Sequence, residues 1–174
     1  MEWFTSDTHW GHANIIKHCN RPFTDVTEMD AVLLDNINSV VKTNDTLYHL
    51  GDFSWKKTAA RYREKIRCRN VILILGNHDP QTKNGQPLDI LHEIFSQVFV
   101  VLRIRPLISG SRQPIILSHY AMRTWHGSHR GSWNLHGHSH GTLPGNGSKS
   151  LDVGVDQHNY SPINLETVTN LMNQ

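Results

Sequence analysis

The sequence predicts a layered α/β protein, and three observations carry that expectation. Val71 to Leu75 (Val-Ile-Leu-Ile-Leu) is an apolar run without a polar break, the composition of a strand buried on both faces. Strand-like and helix-like segments alternate along the rest of the chain. A length of 174 residues is enough to bury one core, so a single domain over 1–174 is expected. The hydrophobic fraction of 37% is low, but the apolar residues are gathered into runs.

Taken in order, Trp3 to Ser6 reads as a short strand that delivers Asp7-Thr8-His9. Residues two apart in an extended chain point to one face, so Asp7 and His9 can aim at one point. Ile15 and Ile16 begin a short helical patch. Thr27 to Val41 predicts a helix with Thr27 as its cap and Ala31, Leu34, Ile37 and Val41 on one face. Thr46 to Leu50 is a second strand, ending in Gly51-Asp52-Phe53. Lys57 to Arg67 predicts a helix, and its charge run, which starts at Lys56, reads as a solvated face. The central strand stops at Gly76, read as a sharp turn that presents Asn77, His78 and Asp79.

Leu88 to Phe95 reads as a short helix and Gln97 to Arg105 as one strand. Ser109 to Gln113 has hairpin-turn composition, and Pro114 to Ser118 is a strand ending in His119-Tyr120. A loop rich in Gly, Trp and His covers Met122 to Trp133. Asn134 to His136 is a brief strand delivering Gly137-His138-Ser139-His140. Leu151 to Val155 is the last strand and Asn164 to Met172 a helical tail.

A net charge of +2 makes no bulk electrostatic case for nucleic acid or an anionic membrane. Cys19 and Cys68 show no metal-type or redox-type spacing and are expected as reduced thiols. The opening Met-Glu-Trp-Phe-Thr predicts no secretory leader, hence a cytoplasmic protein, for which the Asn146-Gly147-Ser148 glycosylation pattern has no meaning. No run of eighteen apolar residues predicts a membrane span. Thirteen histidines, many beside Gly, Asp or another His, are the composition of a metal site.

Five predicted strand ends thus carry metal-ligand chemistry. Asp7-Thr8-His9, Gly51-Asp52, Gly76-Asn77-His78-Asp79, Ser118-His119 and Gly137-His138-Ser139-His140 follow one another across nearly the whole chain. In these motifs and their order the sequence resembles the calcineurin-like metallophosphoesterases, in particular their small uncapped members. The resemblance implies a four-layer α-β-β-α sandwich with a dinuclear centre at the strand ends. It places Asp7, His9 and His140 on one ion, Asn77, His119 and His138 on the other, and Asp52 between them. A metal-bridging hydroxide would be the nucleophile and His78 the general acid, with Asp79 orienting the His78 ring. Mixed N and O ligands suit manganese first, with iron, zinc or nickel as alternatives, over magnesium or calcium.

His12, Arg123 and His126 are candidates to bind substrate, with Arg130 a further phosphate-gripping candidate. Tyr120, Trp125 and Trp133 are read as stacking or core aromatics, His49 as a core histidine, and His18, His92 and His158 as surface residues. The segment Asp52-Phe53-Ser54-Trp55-Lys56 lacks the arginine of the protein phosphatases of this superfamily, and Asp79 stands where they carry Glu. The expected function is therefore metal-dependent hydrolysis of a small phosphoester, a phosphodiester ahead of a monoester, with nucleotides among the candidate substrates. The alternatives are a phosphomonoesterase or nucleotidase, and a metal-bound scaffold without turnover.

Overall fold

Strands β1 (Glu2–Thr5), β2 (Thr46–His49) and β3 (Asn70–Ile74) run parallel in one sheet of the computed structural model. The structure describes residues 1–174 except Lys56, Thr82 and Asn146, so the first lysine of the charge run and the glycosylation asparagine lie outside the described residues. β4 (Gln97–Phe99) pairs parallel with β3, and β11 (Ile163–Asn164) pairs antiparallel with β1 at the other edge. The central apolar run has a direct reason. Val71, Leu73 and Leu75 pack on one side of the sheet among helical side chains, and Ile72 and Ile74 on the other against the second sheet.

That second sheet has the order β10 (Ser150–Asp152), β9 (Trp133–His136), β8 (Ile115–Ser118), β5 (Val101–Ile104), the first three parallel. β6 (Leu107–Ile108) and β7 (Ser111–Arg112) form the small hairpin whose turn the sequence marks. Phe4, Leu50, Ile115, Leu117 and Leu135 fill the space between the sheets. Helices α2 (Val26–Val40), α3 (Ala59–Arg63) and α4 (Asp89–Ile94), with Ile15 of α1 (Ala13–His18), cover the first sheet's outer face. α5 (Leu165–Met172) packs Val168 and Met172 into the inter-sheet core. The α/β sandwich with flanking helices is the predicted architecture.

Three elements differ from expectation. α2 is capped by Asp25, whose carboxylate accepts the N–H groups of Thr27 and Glu28, and not by Thr27. With that start its buried row is Met29, Leu33 and Ile37, while Ala31 is exposed. The expected strand over 97–105 is two strands: β4 belongs to the first sheet and β5 to the second, with Val100 between them. Period-two patterning does not encode which sheet an extended segment pairs with. α3 stops at Arg63, whose guanidinium donates to the Ile66 and Arg69 carbonyls, so the chain turns to bury Ile66 and Cys68. No helix among the described residues is long and apolar enough to cross a membrane.

Candidate metal centre

Parallel strands end at the same edge, and this decides where the polar motifs meet. β1, β2 and β3 deliver Asp7, Asp52 and Asn77 at their carboxyl ends, and β8 and β9 deliver His119, His138 and His140 at theirs. The loops are then tied to one another. The N–H groups of Asp7 and His9 donate to the carbonyls of Gly51 and Asp52, each at 3.0 Å, and Gly137 N–H donates to His119 O at 2.9 Å. Gly76 does not adopt a left-handed turn; a Cβ there would overlap the backbone N and carboxylate of Asp52. Its role is close approach of two loops, and the chain turns from it as expected, with Asp79 N–H donating to Gly76 O at 3.3 Å.

Five of the residues that would ligate metal sit at left-handed φ: Asp7 (57°), His9 (51°), Asp52 (55°), His138 (66°) and His140 (46°). For non-glycine residues this costs on the order of 1 kcal/mol or more each, and such strain gathers at functional sites. The inter-loop hydrogen bonds hold it in place.

Donor atoms of Asp7, His9 and His140 lie within 4.8 Å of one another, as do those of Asp52, His119 and His138. Asp52 Oδ2 is 3.4 Å from His9 Nε2 and 3.5 Å from His119 Nε2, so one oxygen faces both groups. Asn77 Oδ1 lies 2.9 Å from His119 Nε2. His119 Nδ1 donates to the Leu50 carbonyl at 2.8 Å, which leaves the Nε2 lone pair for the site. Asp7 Oδ1 and both ring nitrogens of His9 are buried without a hydrogen-bond partner. Buried polar atoms are seldom left so, and the Asp7 carboxylate oxygen with the one lone pair of the neutral His9 ring fits a bound cation.

The electrostatics of the ion-free protein put a proton on two of the three donors, which a cation would displace. Burial, reinforced by the Asp52 charge and opposed by His140, pushes the Asp7 carboxyl up to about 8. Burial, with the His140 and Arg21 charges added, holds His9 far below the usual imidazole range. Both groups present their metal-binding form once a cation displaces the Asp7 proton. For His140 burial opposes the charge, but the hydrogen bonds to Asp156 and Cys19 and the Asp7 carboxylate outweigh it and raise the group to about 10.

Asp79 is not the orienting partner expected for His78. Its carboxylate is buried and accepts the N–H groups of Gly76 (2.8 Å), Asp52 (2.9 Å) and Phe53 (3.0 Å), pinning the two loops together. Burial pushes this carboxyl up to about 7 despite those donors. His78 is placed through its own backbone, whose N–H donates to Asp52 Oδ1 at 2.8 Å. Its exposed ring sits with Nε2 4.0 Å from Asp52 Oδ2.

Of the substrate-binding candidates, His12 joins the site: its ring is 5.5 Å from that of His9 and 6.0 Å from that of His78. Arg123 and His126 are exposed and border neither cleft that opens on the ligand set. Their loop closes on itself, because Trp125 Nε1 donates to Ser132 O and Ser132 Oγ to His126 O. Trp133 is buried between the sheets, whereas the Tyr120 hydroxyl reaches Asn77 Oδ1 at 3.3 Å. His49 is a core residue as expected, and His158 is half-buried, bonded through Nε2 to Asp152 O.

Sequence reasoning missed the support behind the first ligand group. Asp156 Oδ2 accepts His140 Nδ1–H at 2.7 Å, and Arg21 binds both Asp156 oxygens at 2.8 and 2.9 Å while donating to the Asp7 and Thr8 carbonyls. No local pattern announces a contact between positions 21 and 156. Trp55 was missed as well; its ring stacks on His12 with centroids 3.9 Å apart and planes 4° from parallel.

A layered α/β fold with clustered His and Asp at the strand ends defines a metal-dependent phosphoesterase. The chain belongs to the calcineurin-like phosphoesterase family, whose model matches residues 3–164. It is 33% identical to an uncharacterised protein of Methanocaldococcus jannaschii over 98% of this chain and 90% of that one. It is also 33% identical to the gene 66 protein of Mycobacterium phage L5, over 81% of this chain and 78% of that one. A crystal structure of a protein of unknown function from Aquifex aeolicus superposes with a TM-score of 0.74 at 27% identity, covering 98% of both chains.

Proposed function

We propose that this protein is a phosphodiesterase acting on small phosphodiesters, with two divalent ions held by Asp7, His9 and His140 and by Asn77, His119 and His138, and with Asp52 shared. The observation that carries the reading is the position of Asp52 Oδ2, equidistant to within 0.1 Å from His9 Nε2 (3.4 Å) and His119 Nε2 (3.5 Å). Manganese is the first metal to test, with iron, zinc and nickel next, because the donors are nitrogen and oxygen without thiolate. Such ions polarise a phosphoryl group and supply an activated water.

The chain's own residues do the rest. Asp52 is held with its Oδ1 on the His78 N–H and its Oδ2 toward both ligand groups. His78, exposed at the rim, gives a proton to the departing ester oxygen. Asp156 and Arg21 keep the His140 ring turned so that Nε2 faces Asp7 and His9. A diester is favoured over a monoester because space opens on both sides of the ligands. One cleft is bordered by His78, His140 and Trp55, the other by Asn77, His119 and Tyr120.

The test is metal analysis of the purified protein, joined to turnover of a panel of diesters and monoesters with added Mn²⁺. Two metals per chain and faster turnover of bis-p-nitrophenyl phosphate than of p-nitrophenyl phosphate are expected. Turnover of monoesters alone would reject the diester assignment.

A further inference from the structure

We infer that Trp55, backed by His12, is a stacking platform for the leaving group of the ester, and that this group is a nucleoside. The inference rests on the phosphodiesterase reading and adds the substrate class to it.

The cleft beside His78 has a volume of about 810 Å³, enough for a nucleotide. Trp55 and His12 both line it, and they lie parallel at 3.9 Å. His12 is only 9% exposed and takes the inner position, whereas Trp55 is half-buried and takes the outer one. The His78 ring stands 5.6 Å from that of Trp55, centroid to centroid. A group resting on Trp55 is therefore beside the residue assigned to protonate the leaving oxygen.

Trp55 is also held still. Its backbone N–H donates to Trp10 O at 2.8 Å, its carbonyl accepts the Thr58 hydroxyl at 2.7 Å, and its ring lies flat on that of His12. A rigid aromatic plate loses little entropy when a flat ring stacks on it.

The lining adds a polar margin to the plate. Among the described residues no Asp, Glu, Lys or Arg borders this cleft, and its titratable side chains are Cys19 and five histidines. Asn14, Ser139 and Thr142 line it and supply neutral donors and acceptors suited to sugar hydroxyls and base edges. An apolar aryl group would leave these unpaired. A nucleoside matches both the plate and the polar margin.

Hydrolysis in this orientation forms a P–O bond from water and breaks the P–O bond to the nucleoside oxygen. That oxygen takes up one proton and departs as the free nucleoside, while the other ester group stays on phosphorus.

The experiment uses the methyl ester of a nucleoside 5′-monophosphate with the Mn²⁺-loaded protein. The expected products are the nucleoside and methyl phosphate; methanol and the nucleoside monophosphate would overturn the orientation. In parallel, calorimetry compares a nucleoside monophosphate with inorganic phosphate on the wild type, Trp55→Phe and Trp55→Leu. Loss of base stacking costs roughly tenfold to a hundredfold in affinity. The wild type should therefore bind the nucleotide at least tenfold more tightly than phosphate, Trp55→Phe should keep most of that margin, and Trp55→Leu should lose it. Equal margins in all three proteins would remove the platform. Should no diester be cleaved at all, the phosphodiesterase reading falls, and the binding comparison alone decides the role of Trp55.

Discussion

The Asp79 carboxylate accepts the backbone N–H of Asp52 at 2.9 Å, and so fixes the residue whose Oδ2 faces both His9 and His119. It also accepts from Gly76 and Phe53. Asp79→Asn replaces one acceptor oxygen with a donor and strands at least one buried N–H group, at about 1–3 kcal/mol each. Chemical denaturation should show a loss of about 3 kcal/mol in the metal-free protein. Unchanged stability would mean that the loops are held by something else.

Removing the shared ligand is a test of metal occupancy. Asp52→Asn keeps the shape but withdraws the charge that both donor groups face. Elemental analysis after desalting should give fewer metal ions per chain than the wild type, and turnover should drop by roughly a thousandfold, about 4 kcal/mol on the barrier. Full occupancy by two ions would show that Asp52 does not bridge.

Behind the ligands, Asp156→Ala leaves the His140 ring free to rotate and Arg21 without its carboxylate. Losses of this kind cost about 10- to 100-fold in metal affinity. Isothermal titration of the stripped protein with Mn²⁺ measures it directly, and wild-type affinity would reject the orienting role.

His78→Ala should act according to the leaving group. p-Nitrophenolate departs without help, whereas an alkoxide needs a proton. The variant should therefore lose roughly 100-fold or more on a methyl ester and much less on a p-nitrophenyl ester. Equal losses on both would point to substrate positioning in place of proton transfer.

The stability of the metal-free protein should depend on His49. Thr8 donates its one hydroxyl proton to Phe53 O, so His49 Nε2–H must donate to Thr8 Oγ1, and the buried Nδ1 has no partner. The neutral ring is thus favoured, and burial, helped by His119, lowers His49 to about 3. The folded value lies below that of the unfolded chain, about 6.5. As pH falls past that point the unfolded chain takes up the proton first, so the stability is full above it and shrinks down to the folded value. The slope is about 1.4 kcal/mol per pH unit. Between pH 7 and 5 the wild type should lose about 2 kcal/mol more than His49→Gln in denaturant titrations. Parallel pH profiles would show that His49 takes up its proton as readily in the folded protein as in the unfolded chain.

Much of this was written locally in the chain. The unbroken run at Val71 to Leu75 reads as a doubly buried strand and is one, and the polar clusters after several strands are the ones the fold brings together. Less local features were misread. Asp79 was expected on His78, its neighbour in sequence, but its partners Asp52 and Phe53 come from another loop. Arg123 and His126 have the right chemistry, yet Trp125 ties their loop back on itself.

The sequence by itself determined most element types, the family and the candidate donor residues, because hydrophobic period and residue chemistry are local properties. Only the tertiary structure decided which oxygen of Asp52 faces both donor groups, that Asp156 and Arg21 stand behind His140, and that Trp55 and His12 form a stacked pair. Those relations depend on the register of parallel strands and the crossing of loops. Register and crossing arise from packing between segments far apart in the chain, which no single stretch of residues encodes.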